Sequence, residues 1–499
     1  MPPPLRADAG PGVLAEPLLG EEQTARPVVA LEVSSIESEE RRHSRKSTLS
    51  SVPWMLSIHP SPSLEAEDEE TSIVATPLLL AAFVAVGCGP ALTWNCMWAS
   101  VAFFQEQLGT SVLAALGLAT NGSIFVGMLA YFLLHNYYSC VSPRVPVLCA
   151  LTFQAALCIA LPVFVAFIGR DEHIPSWIIL GAAAANGAFM GLSHGAVSAV
   201  AGAFMGPSFV TAGMVGSGIA TVLPTLLQLA ITLSASPSKD AQLTARRTAI
   251  YVVFPTAVLG ILAASIAWLY ITAVPLYVAG VVKERAGKAA RRERQSTEEV
   301  KRVNMKGLRR LCAVKSHIII LFATTVISTL GLAWSPHILA CDSPGSMAEP
   351  IQWMNLGNHI WWSSNLPAFL ANEYNVFAFV GVIAASSDSV IKAMHNTRIG
   401  KAILPLLATL RVSFVALVIC FVVYGNRIPT LIPIAAFALA AFSSGFILVA
   451  ESSMCQVVCR SDGAHICAIV AMVSWSTMQF GVVFGNIVGL LTGLYALPS

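Results

Sequence analysis

The sequence predicts an all-α protein that crosses a membrane about eleven times. The first reason is composition: 56% of the 499 residues are hydrophobic and only 11% are charged, whereas soluble chains carry about 25% charged residues. The second is length, because apolar runs of the roughly 20 residues that a spanning helix needs recur almost end to end. These runs are continuous rather than alternating, so they favour helices and exclude a transmembrane barrel.

The amino-terminal region, residues 1–72, differs from the rest. It is rich in Pro, Ser, Glu and Arg and contains no long apolar run. We therefore expect neither a cleavable signal peptide nor a packed domain here, but a disordered cytoplasmic tail.

Eleven spans are predicted after this tail. They lie near residues 73–102, 112–135, 145–169, 176–201, 207–234, 248–280, 313–335, 373–396, 400–424, 429–455 and 465–495. The fourth and fifth spans are separated by only a few residues, which predicts a tight helical hairpin.

The distribution of Lys and Arg predicts the orientation. A strongly basic segment, residues 281–312, follows the sixth span and marks the cytoplasmic side. It separates a first bundle, residues 73–280, from a second, residues 313–499. The amino terminus is then cytoplasmic and the carboxyl terminus extracellular, with the plasma membrane as the default location. Arg246 and Arg247 fall outside and count against this rule. The basic segment could also contact anionic membrane lipid.

Polar residues inside spans are costly and need a reason. Asp388 and Lys392 lie four residues apart in the eighth predicted span, so they share a helix face and can pair. Such a pair could bind a polar solute in a cavity. It could equally lie at the inner membrane edge, with Lys392 extending to the headgroups.

Glu451 lies in the tenth predicted span. It could bind a solute, titrate with a proton, or pair with a base on another helix such as Arg411. His194, in the fourth span, is more simply a packing residue.

Trp94 and Asn95 fall in the middle of the first predicted span. A tryptophan at membrane depth faces protein or a cavity, and Asn95 beside it offers a donor and an acceptor. Together they suit stacking on a flat heterocycle and reading its edge, although packing is the simpler interpretation. The small residues of spans four and five, including Gly216 and Gly218, predict close helix packing.

Other functions find little support. Most of the 11 cysteines lie in apolar runs, and we interpret them as small hydrophobic residues. No spacing indicates a metal site, and we predict no metal, no cofactor, no nucleic-acid partner and no enzymatic activity. A membrane receptor is disfavoured by the number of spans.

Several segments resemble the equilibrative nucleoside transporter family. In the first span that family has a glycine stretch followed by Leu-Pro-Trp-Asn, and this chain has GCGPALTWNCMWAS, with Thr93 in place of the proline. The family's hairpin motif, Ser-Tyr-Thr-Ala followed by Gly-Gln-Gly, is similar to SFVTAGMVGSGIAT here, with Ser217 in place of the glutamine. Asp388 and Lys392 match an Asp and an Arg of the eighth span.

The resemblance implies a two-part, major-facilitator-like bundle that carries a nucleoside or nucleobase by alternating access. Under it, Trp94 stacks on the base, while Asn95 and Trp98 line the cavity.

The same resemblance places Asp388 and Lys392 on the sugar or the base edge, with Ser193 or His194 nearest to a glutamine of span four and Glu451 contributing. Transport could be downhill or driven by protons through Asp388 or Glu451. Because the chain departs from the family at residues 93, 217 and 392, a carrier of a sugar or an organic cation stays an alternative.

Overall fold

The computed structural model describes the helical part of the chain. The described residues are 76–101, 103–104, 112–137, 143–167, 175–204, 207–236, 238–273, 312–335, 338, 359–424, 427–459 and 464–495. The predictions for the amino-terminal tail and for nearly all of the basic segment after the sixth span lie outside them.

Every long regular element in this part of the chain is a helix. The helices are α1 (Pro77–Ala99), α2 (Val112–Tyr137), α3 (Arg144–Phe167), α4 (Ser176–Ala203), α5 (Pro207–Ser234), α6 (Lys239–Ala273), α7 (Lys315–Trp334), α8 (His359–Ala385), α9 (Asp388–Asn396), α10 (Arg398–Tyr424), α11 (Leu431–Cys459) and α12 (Ala464–Tyr495). Ten are long and apolar enough to cross a membrane, and the apolar part of α8 is the shorter stretch Phe369–Ala385. The chain is a polytopic α-helical membrane protein, as predicted.

The eighth span was predicted wrongly. The helix begins at His359, inside the segment expected to be a loop, and it ends at Ala385 rather than near residue 396. Ser386 donates its hydroxyl to the Val382 carbonyl at 2.6 Å, and Ser387 takes an extended conformation that stops the helix. Asp388 is then the first residue of α9.

The short helix α9 therefore carries Asp388 and Lys392 outside the spanning helix. It buries Ile391 and Met394 and leaves Lys392 exposed. Met394 packs with Leu404 of α10 and with α11. The two predicted site residues thus belong to an amphipathic helix beyond the end of α8.

Glycines bring the helices of the first half together in two pairs. In α1 and α5, a Cβ at Gly216 would overlap the Val84 carbonyl, and one at Gly87 would overlap the backbone of Gly213. In α2 and α4, a Cβ at Gly191 would overlap the backbone of α2 in the same way. Because lipid tails are as apolar as the helices, close backbone approach is a main source of association energy.

The second half repeats this arrangement. Gly445 of α11 packs on the backbone of Ala378 in α8, and Gly481 of α12 packs on Thr325 in α7. The two halves meet where α12 contacts α2 and α4, and where α5 contacts α8 and α11. The eight paired helices thus surround the middle of the bundle, while α3, α6 and α10 lie behind them.

Two arginines fasten α3 to α6. Arg144, at the start of α3, donates to the Thr272 carbonyl at 2.6 Å, and Arg247, near the start of α6, donates to the Val165 carbonyl at 2.8 Å. Each arginine satisfies a carbonyl in the last turn of the other helix, where helical partners run out. Arg247 counted against the predicted orientation, and its bond to α3 gives it a structural role instead.

We expect Gly216→Ala to destabilise the protein and Gly213→Ala, one turn away, to leave it intact. The added methyl group collides with backbone at residue 216 but meets nothing within 4 Å at residue 213. Overpacking costs about 1–3 kcal/mol, whereas alanine for an unobstructed helical glycine is neutral or favourable. Melting temperatures of the two purified variants test this, and equal values would contradict it.

Candidate functional site

A cavity of about 350 Å³ lies between the two halves. Its walls come from the eight paired helices, which leave a space where the halves do not touch. The volume is in the range of small-molecule sites, about 300–1,000 Å³. The aromatic and polar lining residues include Trp94, Asn95, Trp98, Asn121, His194, Ser217, Thr221, Thr325, Ser328, Thr329, Tyr374, Asn375, Phe379, Ser444, Trp475, Gln479 and Asn486.

The lining is mainly apolar, and its polar groups are uncharged. Among the lining residues that the structure describes, there is no Asp, Glu, Lys or Arg. The side-chain amides of Asn95 and Asn121 donate to carbonyls of their own helices, at Ala91 and Gly117, both at 2.8 Å. Their carbonyl oxygens are then left to accept hydrogen bonds from a solute.

Aromatic rings supply most of the flat surface. Trp94 and Trp98 lie one turn apart on α1, with ring centroids 5.6 Å apart and planes tilted by 48°. Tyr374 and Phe379 face the cavity from α8, and Trp475 faces it from α12. Such rings offer stacking surfaces for a planar or partly apolar solute.

His194 and Trp475 form the floor of the cavity. Their ring centroids are 5.1 Å apart, and they join α4 of the first half to α12 of the second. Both ring nitrogens of His194 are buried without a hydrogen-bond partner. Buried polar groups are rarely left unpaired, so these nitrogens mark a place for a solute or a water molecule.

Below this floor the halves close against each other. A much smaller cavity continues past His194 and Trp475. Beyond it, the Thr211 and Ser453 hydroxyls lie 3.0 Å apart, and a Cβ at Gly202 would approach the Cα of Ala468 to 2.7 Å. This closed end is the one at which α1 begins.

Several of the predicted site residues come together in the cavity. Trp94, Asn95, Trp98 and His194 all line it. Gly218 also lines it, against Phe379, whereas Gly216 packs on α1 away from the solute space.

Lys392 and Glu451, two of the three predicted charged site residues, lie away from the cavity. Lys392 is exposed on α9, and the side chain of Asp388 lies outside the described residues. Glu451 is fully buried but does not line the cavity. The pairing of Glu451 with Arg411 was wrong, because Glu451 bonds the Nδ1 atom of His317 on α7. Arg411 instead bonds groups near Ala440, eleven residues away along α11, a rise of about 16 Å.

Sequence reasoning missed the contribution of the second half. The lining of α12 contains Trp475, Gln479, Val482 and Asn486. Their spacing of four, three and four places them on one helix face. A search for polar residues recurring on one face of a span would have found this stripe, and the adjacent Tyr374 and Asn375 of α8 are a weaker signal of the same kind.

No protein-family description matches the chain, and no curated protein matches it. Similar solved structures include the xylose transporter XylE from E. coli in a partially occluded inward-open conformation. It is 13% identical with a TM-score of 0.43, over 84% of this chain and 97% of that one. The major facilitator superfamily transporter FucP in the outward conformation is 13% identical with a TM-score of 0.40, over 83% and 99%. At these values the similarity carries no argument about a ligand, and function has to be inferred from the cavity.

The His317–Glu451 pair is expected to hold α7 to α11. Breaking a buried pair from one side leaves an unsatisfied polar group, so His317→Ala and Glu451→Ala should each destabilise the protein. Because the two side chains share one interaction, the double variant should cost less than the sum, with a coupling of about 0.5–3 kcal/mol. Thermal unfolding of the three variants measures this, and strictly additive effects would show that the pair does not contribute.

Proposed function

We propose that this protein is a membrane transporter of nucleosides or nucleobases that works by alternating access. The observation that carries the proposal is the uncharged cavity between the two helical halves, with Trp94, Trp98 and Trp475 in its walls. Solute sites of transporters built from repeats lie near the midplane, at the interface of the repeats.

The chemistry of the walls suits a nucleobase. Rings at Trp94 and Trp98 provide a stacking surface, and the amides of Asn95, Asn375 and Gln479 provide hydrogen-bonding groups near it. The Oε1 atom of Gln479 has no partner. A nucleobase presents a flat π-face and an edge of donors and acceptors, so it can use both kinds of group at once.

A sugar carrier is the second candidate, since the same aromatic and amide groups also bind neutral polyols. The resemblance of the Trp94–Asn95 segment to nucleoside transporters favours the nucleoside. An organic cation fits less well, because no carboxylate occurs among the described lining residues.

Alternating access follows from the two-half construction. The contacts of Thr211 with Ser453 and of Gly202 with Ala468 close one end in this state. Separation of these contacts, with closure at the opposite end, would move a bound solute from one side to the other. If the basic segment after α6 is cytoplasmic, the closed end is the cytoplasmic one.

The proposal predicts saturable uptake of labelled adenosine or hypoxanthine, but not glucose, into proteoliposomes that contain the purified protein. Trp94→Ala should raise KM by about fivefold or more, because stacking on a base is worth about 1–3 kcal/mol. Trp177→Ala removes a tryptophan that is 73% exposed on the outside of the bundle, and it should leave KM unchanged. Glucose uptake without purine uptake would instead establish the sugar carrier.

The placement of α9 generates a second prediction. Lys392 is exposed and absent from the cavity lining, so Lys392→Ala should change KM for adenosine by less than about twofold, since surface substitutions have small effects. An increase of tenfold would show that α9 reaches the solute in another conformation. The proposed contact of Asp388 with the solute is tested by Asp388→Ala in the same assay.

A further inference from the structure

Arg411 is a buried cation in the middle of α10. Its side chain is 3% exposed, and the structure gives it no carboxylate within ion-pair distance among the described residues. A central arginine is costly to insert into a membrane, and such residues usually pair with acids or face a functional cavity. Arg411 therefore needs a reason for its position.

The guanidinium lies on the side of the lining residues that faces away from the cavity and bonds two of them. Its Nη2 donates to the Ser328 hydroxyl at 2.5 Å and to the Tyr374 hydroxyl at 3.4 Å, and both of these residues line the cavity. Ser328 in turn lies 2.9 Å from the hydroxyl of Ser444, another lining residue. One layer of hydroxyl groups thus separates the positive charge from the solute space.

The remaining contacts hold the guanidinium in place. Nη1 donates to the Ser443 hydroxyl at 2.7 Å and to the Ala440 carbonyl on α11. These partners are neutral, so they orient the charge without cancelling it. The Nε atom is buried without a partner.

The corresponding helix of the first half carries no such charge. That helix, α3, also lies behind the lining helices. Its Gln154 side chain donates hydrogen bonds to the Pro90 carbonyl at 2.8 Å and to the Asn186 side-chain oxygen at 3.3 Å. Glu373 is the acid nearest in sequence to the wall, but it neither lines the cavity nor pairs with Arg411. Among the described residues of α3, α6 and α10, Arg411 is therefore the cation that bonds residues of the cavity lining.

We propose that Arg411 sets the charge preference of the cavity, favouring solutes with an anionic or acceptor-rich group toward Ser328 and Tyr374 and disfavouring cations. A low-dielectric cleft focuses the field of a nearby charge and raises the local concentration of groups of opposite sign. The inference rests on the proposed function for its choice of solute. It deepens that function by naming which member of a set of related nucleosides binds best.

Three adenosine analogues of matched shape and different charge provide the test. They are adenosine itself, the adenosine 5′-carboxylate anion and the 5′-amino-5′-deoxyadenosine cation, the last two measured as inhibitors of adenosine uptake. We expect the carboxylate to inhibit at a concentration at least about tenfold lower than the amine, a difference of about 1.4 kcal/mol. Equal inhibition, or tighter binding of the amine, would overturn the proposal.

Variants assign this preference to the guanidinium. Arg411→Gln should bring the ratio of the two inhibition constants close to one, and Arg411→Lys should restore a preference for the carboxylate. Ser443→Ala removes a partner of Arg411 that does not line the cavity, and it should keep the wild-type ratio even if it lowers stability. A wild-type ratio in Arg411→Gln would show that the residue is only a structural tie.

If Arg411→Gln does not fold, Ser444→Asp replaces it, because a carboxylate at residue 444 would lie next to Ser328 and offset the guanidinium. This variant should reverse the preference toward the amine, and an unchanged ratio would contradict the proposal.

A separate measurement keeps the inference independent of transport. Iodide and caesium ions quench tryptophan fluorescence. The quenching of the cavity tryptophans is the difference between the wild type and a variant in which Trp94, Trp98 and Trp475 are replaced by Phe. After each quencher is normalised to its efficiency with free tryptophan, we expect iodide to quench the cavity tryptophans at least about threefold more strongly than caesium, and Arg411→Gln to remove the difference. If adenosine does not enter, the proposed function fails, while quenching still decides the role of Arg411.

Discussion

Close contact between helix backbones is the constraint on which the rest of the structure depends. In a bilayer, helices gain nothing from leaving lipid, so they associate where small residues let their backbones meet. Four pairs do so, through glycines such as Gly216 against Val84 and Gly445 against Ala378. The cavity is the space that remains between the pairs of the two halves, and some of the packing residues, such as Gly445 and Ala378, also line it.

The cost of burying charge shapes the second half. Glu451 bonds His317, which joins α11 to α7 at one end of the bundle. Arg411 bonds hydroxyls and a carbonyl from three helices instead of an acid. The same set of bonds therefore fixes the position of α10 and keeps a positive charge one layer behind the cavity. Packing and selectivity are thus linked through one side chain.

Much of the fold could be predicted from the sequence, because apolar runs of spanning length report directly on the bilayer as solvent. Trp94 and Asn95 stood out by their depth, Trp98 and His194 were proposed as site residues through the family resemblance, and all four line the cavity. The break after Ala385 was not, because Ser386 and Ser387 are small enough to occur inside a helix, and only the backbone shows that they end it. The partners of Arg411 and Glu451 could not be predicted either, because spacing along one helix does not say which other helix faces it.

The arginine contacts between α3 and α6 bear on how the chain is made. The bond from Arg247 to the Val165 carbonyl spans 82 residues, and the bond from Arg144 to the Thr272 carbonyl spans 128. Neither bond can form until α6 has left the ribosome. While α4 and α5 are inserted, α3 is therefore in the membrane without either bond to α6. Long-range contacts of this kind form late. A fragment that ended after α5 would therefore lack both arginine contacts, and α3 would be held only by its contacts with α1 and α4, such as the bonds of Gln154 to Pro90 and Asn186.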